Sequence, residues 1–194
     1  MLPRKLKNMN LFNDANSYFG TIATLTLPKI VHAMEEWRGG GMLGPIMIDH
    51  GLEAIEFEWT LGGHEAISMR QMGVVRHDGV LLRFVGAYQS DQDGSVTAVE
   101  AVIRGRHQEL DHGSQKPGDD TEQKIKTVCS YYKLSAAGQD LYEIDMVAGT
   151  YIVGGIDRYA EIRAAIGADG GIGGIGNAFG ISGPLNGIGG IIGA

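Results

Sequence analysis

Residues 53–61, Glu-Ala-Ile-Glu-Phe-Glu-Trp-Thr-Leu, place Ile55, Phe57, Trp59 and Leu61 on one side and Glu56, Glu58 and Thr60 on the other. This period of two predicts a strand with one buried face and one wet face. Two further β-rich runs, 79–89 and 95–107, are separated by Asp91-Gln92-Asp93-Gly94, whose turn chemistry predicts a hairpin. A polar loop over 110–120 leads into a strand over 121–134 containing Ile125, Val128, Tyr131 and Tyr132. Ala137-Gly138-Gln139 then turns the chain into a partner strand at 140–147. The stretch through Tyr18 to Leu27 adds one or two strands. Helix is minor: a short one over 64–72, and a better defined one over 157–166. In the second, Asp157 caps the start, Tyr159, Ile162 and Ile166 share a face, and Gly167 ends it.

Two segments break this pattern. Residues 28–48 contain Pro28, the triplet Gly39-Gly40-Gly41 and Pro45, and read as one long loop. Loops of that length in a compact domain are functional or are ordered by a partner, so assembly contacts are expected there. From Gly167 onward, 12 of 28 residues are glycine and the last charge is Asp169. Glycine loses the most backbone freedom on ordering, so this stretch is no isolated helix or strand. The chain therefore divides into a domain, 1–166, and a glycine-rich extension, 167–194, flexible or loosely docked through its recurrent isoleucines. Its uncharged final 25 residues have the length of a membrane span, but eleven glycines, two asparagines and Pro184 argue against one.

Composition narrows the classes. With 43% hydrophobic and 20% charged residues among 194, the chain suits one soluble globular domain. Acids outnumber Lys and Arg 23 to 16, for a net charge of −7, so the molecule as a whole repels phosphate. The basic run Arg4, Lys5, Lys7 is short and terminal. The single cysteine, Cys129, excludes a disulfide within the chain, and no apolar run follows the basic start, so no signal peptide is expected.

No catalytic constellation emerges. Gly171, Gly173 and Gly176 match the dinucleotide fingerprint in letters, but they follow a helix and no acid lies about 20 residues on. His107, Asp111 and His112 are spaced wrongly to put two imidazoles on one strand face, and read as a solvated loop. Asp119 and Asp120 sit in a Pro/Gly-rich turn, Cys129 reads as a small core filler, and Glu56 with Glu58 lacks a third catalytic group. No enzyme, metal or cofactor is expected.

A positive signal lies in longer phrases. LPRKLKNMNLFNDANSYFG, TLPKIVHAMEEWRGGGMLGPIMIDHGLEAIEFEWT, DGVLLRFVGAYQ, RGRHQELDHGSQKPGDDTEQKIKTVCSYYKL, YEIDMV and GGIDRYAEIRAAIG occur in order from Leu2 to about Gly167. Together they closely resemble the major tail tube family of contractile-tailed bacteriophages. The resemblance implies a mainly β fold, a β-sandwich or partial barrel with a short flanking helix, that completes a large β-barrel channel on ring assembly. It also implies hexameric rings stacked into a tube inside a sheath, with tape measure protein and DNA in the lumen. Such a subunit is assembled in the bacterial cytoplasm and ends in the virion tail. The tube of a phage-derived device such as an R-type bacteriocin is the alternative. The extension after Gly167 departs from the family pattern.

Two sets of residues carry expectations about assembly. Glu56 and Glu58, opposite an apolar face, are expected to line the lumen. Residues 32–46 are expected to form a protruding inter-ring loop, with Glu35, Glu36 and Arg38 pairing across the junction, Trp37 anchoring it, and Gly39, Gly40 and Gly41 permitting the turn.

Overall fold

The computed structural model describes residues 2–168. The notional dinucleotide fingerprint and nearly all of the glycine-rich extension lie outside them. The described residues form twelve strands and two short helices. The strands are β1 (Lys5–Asn13), β2 (Asn16–Ser17), β3 (Ile22–Thr26), β4 (His32–Trp37), β5 (Ile46–Leu52) and β6 (Ile55–Gly62). After α1 (Ala66–Gln71) come β7 (Val80–Gln89), β8 (Val96–Asp111), β9 (Glu122–Ala136), β10 (Gln139–Asp145), β11 (Thr150–Val153) and β12 (Ile156–Asp157), then α2 (Ala160–Ala165).

The two longest strands, β8 and β9, organise the sheet. β9 is flanked by β8 along one edge; along the other, its first half pairs with β6 and its second half with β10. β7 pairs β8 only as far as Gly105, and β1 continues beyond β7. Irregularities in the β8–β9 register at Arg104/Gly105 and His107/Glu109 fall where the two halves of the sheet diverge, and bulges bend the strands that carry them. Gly105 is required at the first, because a Cβ there would overlap the Val128 carbonyl.

This bend lets one sheet supply both walls of its core. Ile55, Phe57, Trp59 and Leu61 of β6 join Val80, Leu82 and Phe84 of β7, Leu11 of β1, and Ala101 and Ile103 of β8 in one buried cluster. Tyr18 closes the curl, its ring stacked on Trp59 at a centroid separation of 5.6 Å. The result is a mainly β partial barrel with helix at its margin, as the alternation of β6 through β10 implies.

Three expectations need correction. Residues 28–48 are not a continuous loop: β4 and the start of β5 form a two-stranded antiparallel sheet of their own. Asp157 does not cap the second helix. It ends β12, accepts from the Tyr159 N–H (3.0 Å), and holds Arg163 at 2.7 Å, while the helix starts at Ala160 without a side-chain cap. The loop expected from residue 110 begins later, because β8 runs on to Asp111.

Candidate assembly surfaces

Glu56 and Glu58 lie on the wet face of β6, as their alternation with buried Ile55, Phe57 and Trp59 requires. β9 contributes Lys126 opposite Glu58 and Lys124 opposite Thr60. β8 adds Glu109 opposite Lys126, and Asp111 opposite Lys124. The Lys126 ammonium donates to the Glu56 carboxylate at 2.7 Å. This hydrogen bond, with the charges of Glu56, Glu58 and Glu109, raises the Lys126 pKa. The face is therefore a mixed-charge wall with an acidic excess: Glu56, Glu58, Glu109, Asp111 and Glu122 against Arg106, Lys124 and Lys126. Sequence reasoning missed the lysines, although Glu122, Lys124 and Lys126 alternate with buried Gln123, Ile125 and Thr127.

Behind this wall runs a buried polar chain. Trp59 Nε1–H donates to Thr127 Oγ1 (3.2 Å), which lies 3.0 Å from His107 Nδ1. His107 Nε2 faces the Gln71 carbonyl oxygen of α1 at 3.4 Å, and Gln71 and Asn13 pair their amides reciprocally at 2.6 and 2.9 Å. Asn13 also reaches the Tyr18 hydroxyl. Since Gln71 Oε1 only accepts, His107 carries its proton on Nε2 and takes the Thr127 hydroxyl proton on Nδ1. Burial lowers the His107 pKa from 6.5 to about 4.

A neutral buried histidine makes the fold acid-sensitive. The unfolded chain binds this proton below its ordinary value of 6.5. The contribution is complete above that pH and is lost as pH falls toward 4. Denaturant unfolding at about pH 5 should show roughly 2 kcal/mol less stability than near pH 7.5. A His107→Gln variant, whatever its absolute stability, should lose most of that difference. Equal pH dependence in both proteins would remove His107 as the cause.

His107 is not in the solvated loop expected for it but is buried on β8, and it does not share a site with His112. The His112 ring lies beside His64, at 5.3 Å between centroids, while Asp111 caps the Gly113 N–H. Among the described residues no three His, Cys, Asp or Glu side chains converge on a metal position. Cys129 is buried, which pushes its thiol pKa up to about 12. No helix among the described residues is long and apolar enough to cross a membrane.

The second surface is the β4–β5 hairpin, an arm rather than the expected loop. Glu35, Glu36 and Trp37 belong to β4, whereas Arg38, Gly39, Gly40 and Gly41 form the tip. Gly41, at φ +82°, takes the backbone conformation that disfavours other residues. The arm is pinned at its base: His32 Nδ1 meets Asp49 at 2.7 Å and its Nε2 meets the Tyr151 hydroxyl at 3.2 Å. Register puts Trp37, Ile46, Ile48 and Glu35 on one face, and Met34, Met47 and Glu36 on the other. Both faces are exposed: Trp37 is 57%, Met47 60% and Leu43, near the tip, 102% accessible. A two-stranded sheet with apolar groups on both faces is marginal alone and marks a contact surface.

The chain is 43% identical over 169 residues to the tail tube protein of Escherichia phage P2, covering 86% of this chain and 98% of that one. It is 36% identical over 172 residues to the major tail tube protein of Serratia phage KSP20, covering 87% and 99%. Its fold resembles a chain of the sheath-tube complex of an extracellular contractile injection system in the extended state, with a TM-score of 0.52 at 10% identity over 69% of this chain and 92% of that one. A chain from the tube-terminating cap of the anti-feeding prophage matches with a TM-score of 0.51 at 10% identity, covering 70% and 92%. Residues 3–167 match the model of the phage tail tube protein FII family. The chain belongs to that family, and is a structural tail tube subunit of a contractile-tailed phage or related injection system rather than an enzyme.

Proposed function

We propose that this chain forms hexameric rings that stack into a tube, and that the lumen of the tube conducts DNA. One observation carries the reading: the strands that bear the mixed-charge wall are unfinished at both sides. β3, β6, β9 and the second half of β8 form a four-strand unit. Among the described residues β3 pairs β6 alone, and β7 stops at Gly105, so no described strand lies on the outer side of Arg106–Asp111 of β8. Open edges invite pairing with another chain. Six such units joined edge to edge exceed by far the roughly eight strands whose interior side chains fill, so a channel remains.

Glu56 and Glu58 then face the lumen, where an acidic excess keeps phosphate from sticking during passage. The sheath outside, the tape measure protein within, and assembly in the host cytoplasm belong to the same reading. DNA is favoured over the cargo of an injection device because the relatives similar in sequence are phage proteins. Changing Glu56 and Glu58 to Lys together reverses the excess beside Lys124 and Lys126. Phage carrying both changes should build tails visible by microscopy yet eject DNA slowly or not at all, with partial recovery at higher salt. Unchanged ejection would place these residues away from the DNA.

A further inference from the structure

Among the described residues β1 has no strand on its outer side from Lys5 to Asn10, because β2 pairs only with Phe12 and Asn13. This edge borders a groove of about 470 Å³, closed on its far side by Phe19, Ile22 and Ala23 in the chain leading into β3. Leu6 and Phe19 at its rim are 42% and 70% exposed. The edge is basic: Lys7 is held by Asp91 at 2.9 Å, whereas Lys5 has no ion-pair partner among the described residues. The groove thus offers backbone hydrogen-bonding groups and exposed apolar side chains, with the positive charge of Lys5 next along the same edge.

The arm presents the complement. Among the described residues β4 pairs only with β5, which leaves its outer edge open over six residues, the length of the open run on β1. It carries Glu35 on one face and Glu36 on the other, flanked by exposed Met34 and Trp37. Pairing two arms through their β4 edges would set Glu35 and Glu36 of one copy beside the same acids of the other. An arm against the groove sets acid on base and apolar on apolar.

Resting on the tube reading, we propose that β4 of one copy adds as a strand along the Lys5–Asn10 edge of β1 in a copy of the adjacent ring. The Trp37 face of the arm covers Leu6 and Phe19, and Glu36, on the opposite face, meets Lys5. Strand addition of this kind draws affinity from the backbone and specificity from alternate side chains. Arm and groove are different patches of one chain, so the contact is heterologous and repeats without closing on itself. That is the geometry a stack of rings needs.

Disulfide trapping in the assembled full-length chain tests the pairing, and buried Cys129 does not compete with introduced thiols. Leu6→Cys is combined in turn with Met34→Cys, Glu35→Cys, Glu36→Cys and Trp37→Cys, and the oxidised material is run on a non-reducing gel. At least one combination should give a covalent ladder that neither single variant gives. Lys5→Glu should raise the concentration needed for assembly roughly tenfold, and Lys5→Glu with Glu36→Lys should restore it. Tubes that form normally without a ladder in any combination, and with no rescue by charge exchange, overturn this contact and leave the tube reading intact. A wild-type chain that forms no tubes overturns both.

Discussion

Replacing Trp59 by alanine should destabilise the folded chain by about 3–5 kcal/mol, the cost of emptying a large buried aromatic site. Trp59 is 1% exposed at the centre of the core, stacked on Tyr18 and tilted against the His107 ring. Its Nε1–H also supplies one end of the buried polar chain through Thr127. Trp59→Phe separates the two contributions: it keeps most of the packing and should cost distinctly less than alanine. Denaturant unfolding at neutral pH measures both. A loss below about 1 kcal/mol for the alanine variant would mean that the two halves of the sheet do not close on Trp59.

Deleting Gly39–Met42 should abolish tube formation while leaving the domain folded. The deletion removes the tip that lets β4 return as β5, where Met42 N–H donates to the Gly39 carbonyl at 3.3 Å. The core cluster contains no residue of the tip, and the hydrogen bonds of His32 hold the arm at the opposite end. Circular dichroism should therefore match the parent protein. Electron microscopy should show separate rings, because the edges assigned to ring closure are untouched. Full-length tubes from the deleted chain would show that the arm has no part in stacking.

The contrast between β6 and the arm explains what the sequence could disclose. Ile55, Phe57, Trp59 and Leu61 announce their strand because one face is buried and the other is wet within the single chain. β4 and β5 are strands too, but beyond their base at His32 and Leu52 neither buries a face among the described residues, so His32–Trp37 and Ile46–Leu52 show no alternation to read. Their apolar residues Met34, Trp37, Ile46, Met47 and Ile48 stay exposed among the described residues. The buried polar chain was hidden for another reason: Trp59, Thr127, His107, Gln71 and Asn13 come from five separate stretches, and only the bend at Gly105 gathers them. Asp157 misled because a capping residue type before an apolar periodicity is a local cue, whereas its carboxylate is committed to Arg163. The wall around Glu56 and Glu58 was half legible. Each strand shows its polar face, but only the β6–β9 and β8–β9 registers show that Lys124 and Lys126 stand among the acids.

Cryo-electron microscopy of the purified full-length chain at high concentration bears most directly on self-completion of the sheet. The expected image is of stacked six-fold rings with an open axial channel. Its inner wall should run without interruption from β3 of one subunit into the Arg106–Asp111 edge of β8 in its neighbour. Particles that remain single at every concentration, or rings whose subunits meet without any strand crossing between them, would contradict it.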